Sequence, residues 1–296
     1  MENDIQHVLG RKVAYPRTYS PEILVRVPRC ENRINHGINT QELPFVGLDL
    51  WNCYEVSALL NNGAPVNYIV RILYSCESQY IVESKSLKLY LNAFNMMKCG
   101  DDAPSVKQHL ATTISRDLSI LLEIEVKTAI NSPGELSHIL HSAPAGEWEY
   151  WGCNYLTPVP LTSYTQDIDL LQSSGENGVL QGMTDMLRSR CKITAQPDWG
   201  DLYLYMDSDT LPTIDSLLRY IVSFRDENHF HEEVVEMIFQ ALWSRFSPRK
   251  LLVMAFYTRR GGIDINPARA NHVSLIEKYC PHLANFQNIA IKFPCQ

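Results

Sequence analysis

Hydrophobic and polar positions alternate in blocks along the chain, and the blocks predict the elements. Residues 66–74, VNYIVRILY, are β-branched and aromatic and predict a strand. In SKSLKLYLNAFN (84–95), Leu87, Tyr90, Leu91 and Phe94 fall on one helical stripe. Residues 105–122 predict a second amphipathic helix with Ser105 as its cap, and EIEVKTAI (123–130) alternates like a strand. The order then recurs. DLYLYM (201–206) predicts a strand, SLLRYIVSFR (216–225) a helix, HEEVVEMIFQALWSRF (231–246) another helix, and KLLVMAFY (250–257) a strand. The acidic first turn of the 231–246 helix suits the positive end of its macrodipole. VLQGMTDMLRSR (179–190) predicts a further helix ending just before Cys191.

The helix at 86–95 lies over the helix at 216–225 at an offset of 130 residues, with Ser, Leu, Tyr and Phe in register. The shared order of strand, helix, helix and strand points to duplication. The expected fold class is α+β, with two tandem modules, each an antiparallel sheet with helices on one face. Residues 1–45 are rich in turns and mostly irregular. Residues 131–177 form a Pro-, Gly- and Ser-rich connection whose YWGCNY and TPVPLTSY stretches predict some order. The boundaries expected are a first module over 1–135, a linker over 136–177 and a second module over 178–296. The tail from His272 to Gln296 has no assignable pattern.

Composition narrows the function classes. The 296 residues are 45% hydrophobic and 20% charged, as expected of a soluble globular protein able to bury a sizeable core. A net charge of −7 opposes a broad nucleic-acid or anionic-membrane surface. No secretory h-region and no run of about 18 apolar residues is present. The eight cysteines are scattered, without a C-x-x-C, which predicts reduced thiols in the cytosol.

Neither G-x-G-x-x-G nor a P-loop occurs. His229 and His231 form an H-x-H, but no further ligands stand at metal spacing. Cys191 precedes Asp198 by seven residues in CKITAQPD. The pair reads either as a nucleophile with a proton donor or as a buried thiol beside a Pro-Asp turn. A thiolate nucleophile needs a lowered pKa, and a donor carboxyl needs burial to raise its own. Glu83 and Lys85 flank Ser84, which reads as a helix cap, either an ordinary charged helix start or an N-terminus turned towards an anionic ligand. Glu232, beside His231, could accept two parallel hydrogen bonds from the edge of a guanine. The arginines of YTRRGGIDINP (257–267) suit phosphates, and its glycines suit close backbone approach; the plain alternative is a solvated hairpin turn.

VESKSLKLYLNAFN, SRCKITAQPDWG, VSFRDENHFHE and YTRRGGIDINP, in that order, closely resemble the long two-module form of the NADPH-dependent 7-cyano-7-deazaguanine reductases. These are nitrile reductases of the tunnelling fold (T-fold) that serve tRNA queuosine biosynthesis and are related to GTP cyclohydrolase I. The resemblance covers roughly residues 10–130 and 178–270. It implies that Cys191 attacks the nitrile carbon to give a thioimide, that Asp198 donates a proton and that His231 takes part in proton movement. It implies a base pocket of Val82, Glu83, Ser84, Phe230, His231 and Glu232. Ser84, Lys85, Arg260 and Gly261 fall on positions that hold NADPH. The resemblance further implies no metal, a homodimer, a small-molecule deazaguanine as substrate and no direct contact with nucleic acid or membrane. A T-fold cyclohydrolase or pterin-type enzyme is one alternative, opposed by ESKSLK and the missing zinc spacing. A catalytically silent purine-binding protein is the other, opposed by the presence of both Cys191 and Asp198.

Overall fold

Two long hairpins organise the chain, one in each half. The computed structural model describes residues 18–132 and 144–281. In the first half β2 (Val46–Leu60) pairs antiparallel with β3 (Pro65–Ser75), and β6 (Val126–Asn131) extends β3 on its far side. Between β3 and β6 lie α2 (Ser84–Asn92) and α3 (Ala103–Leu122). In the second half β8 (Gly178–Cys191) pairs with β9 (Pro197–Ser208), followed by α4 (Ile214–Val222), α5 (His231–Phe246), β11 (Lys250–Tyr257) and β12 (Ile263–Ala270). The 130-residue offset read from sequence carries α2 onto α4 end for end. Each hairpin also has a bulge in its first strand, between Cys53 and Val56 and between Thr184 and Leu187.

The halves join through β12, which pairs antiparallel with β2 from Ile263↔Cys53 to Ala270↔Val46. One sheet therefore runs β10-β8-β9-β11-β12-β2-β3-β6, where β10 (Asn228–His229) is a short parallel addition to the end of β8. Short strands β5 (Lys98–Gly100) and β7 (Glu149–Tyr150) pair with β2 and β8. A separate ribbon pairs β1 (Arg26–Pro28) with β4 (Tyr80–Val82), and α1 (Cys30–Asn35) follows β1.

Alternation along each strand assigns the two faces. In β11, Leu251, Val253, Ala255 and Tyr257 enter the core beneath α4 and α5, and Leu252, Met254 and Phe256 enter the core on the opposite face. From Leu251 to Tyr257 the strand is apolar throughout because both of its faces are buried. A third core lies under α2 and α3, built on Leu87, Tyr90, Leu91, Leu110, Ile114 and Leu118. The α+β class, with helices on one face of each half of an antiparallel sheet, agrees with the sequence expectation. The tail departs from it: α6 (Val273–Tyr279) places Leu275, Ile276 and Tyr279 against the other face. Residues 1–17, 133–143 and 282–296, including the last part of that tail, lie outside the described residues.

Three local expectations are corrected. Residues 179–190 are not a helix but most of strand β8, and Cys191 is its last residue. Glu83, not Ser84, caps α2: its carboxylate accepts from the Lys85 and Ser86 backbone N–H groups at 2.9 and 2.6 Å, and Ser84 is the first helical residue. Asp102, not Ser105, caps α3, with Ser105 as its reciprocal partner in a capping box. The linker expectation of partial order is met by Trp151 and Leu171, both buried in the core of the second half. Trp151 lies so close over Gly182 that a Cβ there would sit 2.2 Å from the indole.

Candidate active site

The seven-residue spacing from Cys191 to Asp198 is a hairpin turn. Cys191 ends β8, the chain turns through 192–196, and Asp198 stands on β9 opposite Ser189. The Cys191 N–H donates to the Gln196 carbonyl at 2.8 Å, and its carbonyl accepts from Ala195 N–H at 2.9 Å. Ala195 holds a φ of +53° to close the turn. Cys191 is half-buried, and Asp198 is buried.

Two other segments reach Asp198. His231, the first residue of α5, brings its Nε2 to 3.3 Å from Oδ2, and its ring stacks on Tyr257 at 3.8 Å between centroids. Arg260, from the β11–β12 connection, donates to Asp198 Oδ1, to the Gln196 side chain and, at 2.8 Å, to the Pro197 carbonyl. Gly261 and Gly262 follow it with φ of +58° and +80°, a course through the left-handed region that glycine permits without strain. Burial raises the Asp198 pKa, but His231 and Arg260 outweigh it and hold the carboxyl below its ordinary range. The tuning expected of a donor carboxyl is thus reversed, because two cation-forming groups lie against it.

These groups line a cleft between the halves. The first half contributes Ser84, Lys85 and Lys88 from the N-terminal turns of α2. The second contributes Cys191, Thr194, Asp198, His229, Phe230, His231, Thr258 and Arg260, and β12 adds Ile263 and Ile265 to the floor. Seven of the sequence-predicted residues therefore meet on one cavity: Cys191, Asp198, His231, Phe230, Ser84, Lys85 and Arg260. Four do not line it. Val82, Glu83 and Glu232 are buried behind it. Gly261 lines an adjoining recess that shares Lys88 and Ile263 with the cleft.

Glu232 sits in a lattice of charge that the sequence reading missed. Arg29 pairs with Asp49 and Glu236, Arg33 with Glu236, and Arg269 with both Asp49 and Glu236, all of them buried. Three arginines face two carboxylates, and Glu232 would be the third. Burial, then the charge of Asp49, push Glu232 up to about 8, against the pull of Arg29 and Arg269. Its Oε1 has no partner, nor do the Tyr257 hydroxyl and His231 Nδ1. Orphaned buried polar groups need a partner, and a bound polar ligand or water would supply one here. The signal in the sequence was Glu232 and Glu236 at i and i+4, on one face of the helix.

A half-buried thiol, a carboxylate–imidazole pair and the cationic side chains of Lys85, Lys88 and Arg260 share one cleft. Similarity to known proteins narrows the class. Residues 15–130 match the family described as nitrile reductase, 7-cyano-7-deazaguanine-reductase N-term, and residues 197–274 match QueF-like protein. The NADPH-dependent 7-cyano-7-deazaguanine reductase of Azoarcus sp. (strain BH72) is 41% identical over 266 residues, 89% of this chain and 90% of the relative. The enzyme of that name from Desulfotalea psychrophila is 38% identical over 89% of this chain and 92% of its own length. That from Acidovorax ebreus is 38% identical over 91% and 95%. The chain belongs to the NADPH-dependent 7-cyano-7-deazaguanine reductase family.

The cleft fits such a cofactor. Lys85, Lys88 and Arg260 present positive charge beside the N-terminus of α2, which suits the phosphates of a dinucleotide. Gly261 leaves space that a side chain would fill, since a Cβ there would meet Lys88 Nζ at 2.9 Å.

Proposed function

We propose that this chain reduces the nitrile of 7-cyano-7-deazaguanine to the primary amine of 7-aminomethyl-7-deazaguanine, in queuosine biosynthesis for tRNA. The observation that carries the reading is the meeting of Cys191, Asp198 and His231 with Ser84, Lys85 and Arg260 on one cleft between the halves. Cys191 is the nucleophile: its thiolate adds to the nitrile carbon and gives a thioimide. The proton for the nitrile nitrogen comes from the Asp198–His231 pair, hydrogen-bonded across 3.3 Å. Because Asp198 is held ionised, the pair and not the carboxyl alone is the donor. Glu232 accepts the N1–H and 2-amino group of the base, Phe230 lies against it, and Val82, Glu83 and Ser84 shape its pocket from the other half. Ser84, Lys85, Arg260 and Gly261 hold NADPH, which supplies the hydrides that take the carbon to the amine level. A nitrile is a poor hydride acceptor, and addition of the thiolate turns it into a better one. The first hydride turns the thioimide into a thiohemiaminal, whose C–S bond breaks to release the Cys191 thiolate and leave an imine; that imine hydrolyses in water, so the cleft must stay shut until the second transfer.

The chain divides into modules at 1–135 and 178–296 with a linker over 136–177, and works as a cytoplasmic homodimer whose pairing covers sheet edges. The substrate is the free base, and no nucleic acid is bound directly. Among the described residues no helix is long and apolar enough to cross a membrane. Stoichiometry tests the reading: two NADPH oxidised per nitrile consumed, in protein treated with chelator, supports it. Hydrolysis of a pterin-type or purine nucleotide substrate dependent on added zinc would replace it with the cyclohydrolase reading.

A further inference from the structure

Glu233 stands next to the base-binding Glu232 but plays a different part. It is the third residue of α5 and is 2% exposed. Its Oε1 lies 2.9 Å from Lys192 Nζ, and its Oε2 accepts from the Phe230 N–H at 3.0 Å. The same Oε2 lies 3.6 Å from His229 Nδ1. Lys192 follows Cys191 directly in the chain, and its ammonium stands 5.5 Å over the Phe230 ring. The two backbones are also tied, because β10 pairs His229 with Cys191 and Arg190 N–H donates to the Glu227 carbonyl at 2.8 Å. One buried carboxylate thus ties together two segments of the second half: the turn after the thiol, and the segment that carries Phe230, His231 and Glu232.

We propose that Glu233, through Lys192, is the positioning residue that sets the Cys191 thiol against the nitrile carbon of the bound base. The proposal rests on the reading of Cys191 as nucleophile. A capping residue needs only one acceptor for the Phe230 N–H, and the second oxygen of Glu233 is engaged by a lysine from another element. The other titratable groups of this corner include His229, Glu227 at 3.2 Å from it, and His36, whose ring lies 6.0 Å from that of His229. Addition needs the reacting atoms within about 3–3.5 Å, and a misplacement of about 1 Å lowers such rates about a hundredfold. The Glu233–Lys192 contact is therefore felt in the rate of bond formation more than in base affinity.

The test compares Glu233→Gln, Lys192→Met and Lys192→Arg with the wild type. Adduct formation with 7-cyano-7-deazaguanine is timed without NADPH, and affinity is measured with 7-deazaguanine, which has no nitrile. Glu233→Gln keeps an acceptor for the cap, and Lys192→Met keeps the whole cap, so a fold defect in one leaves the other informative. The proposal expects adduct formation slower by about tenfold to a hundredfold in both, base affinity within about threefold, and recovery in Lys192→Arg. Wild-type adduct rates in Lys192→Met, or a loss of affinity that matches the loss of rate, overturn it. A wild-type protein that forms no adduct overturns the nucleophile reading and this proposal together, an outcome distinct from a normal wild type with normal variants.

Discussion

On the proposed role of Glu232 as acceptor of two hydrogen bonds from a guanine edge, base affinity should rise with pH, because the carboxyl must first lose a proton. The perturbation is a pH series from 6 to 8.5 with 7-deazaguanine as a non-reacting ligand. Burial and the nearby charge of Asp49 hold Glu232 at about 8 in the free protein, against an ordinary 4.5. The carboxyl is therefore mostly protonated at pH 7, and each pH unit below its raised pKa costs about 1.4 kcal/mol of binding. Affinity should therefore climb about tenfold per unit from pH 6 to 8 and level off above. Titration calorimetry in buffers of different ionisation enthalpy should show close to one proton released per base bound at pH 6.5. The released proton leaves six buried charges in balance: Arg29, Arg33 and Arg269 against Asp49, Glu236 and Glu232. Glu232→Gln should bind weakly and without the slope. Stability follows the same shift with opposite sense. A carboxyl with a raised folded pKa favours the folded state below its ordinary value, so the wild type loses stability as pH rises from about 5 to 8. A flat affinity profile in the wild type, together with no proton release, would refute the reasoning.

Two further outcomes follow from the charges around the cleft. Glu236 is driven down to about 2 because Arg269, Arg33 and Arg29 outweigh its burial. Glu236→Gln should lower unfolding stability by about 3–5 kcal/mol in urea titrations near neutral pH, since three buried arginines lose their shared partner. Its contribution is present above the ordinary carboxyl range and fades as pH falls towards 2, so mutant and wild-type acid unfolding curves should converge. Arg260→Ala should raise the KM for NADPH and also move the acid limb of the turnover profile to higher pH, because Asp198 loses one of the two groups that hold it ionised. A change in KM with an unmoved acid limb would separate Arg260 from the proton donor.

Much of this was legible because periodicity survives where helices face a core. The stripe Leu87, Tyr90, Leu91 predicted α2, and its echo at 216–225 predicted α4 and the duplication. Strand β8 was misread for a physical reason. Its buried positions run Gly182, Thr184, then Leu187, Ser189, and the bulge between Thr184 and Leu187 inserts a step of three into a period of two. With Leu, Gln, Met and Arg around that step, the strand imitates a helix. The surface side of the site was readable in short motifs, since Cys191 and Asp198 share a hairpin and Phe230 and His231 open one helix. The lattice under Glu232 was not, because Arg29 finds Asp49 20 residues away and Glu236 207 residues away, pairings that only the assembled sheet creates. The reversed tuning of Asp198 was equally hidden, since Arg260 arrives from 62 residues further along.

The central claim is that Cys191 bonds to the nitrile carbon, and intact mass spectrometry tests it most directly. Protein mixed with 7-cyano-7-deazaguanine in the absence of NADPH should gain the mass of one base. The gain should be absent in Cys191→Ala and should vanish from the wild type once NADPH is added. A base that binds without any mass gain, or a gain that persists in Cys191→Ala, would contradict the account.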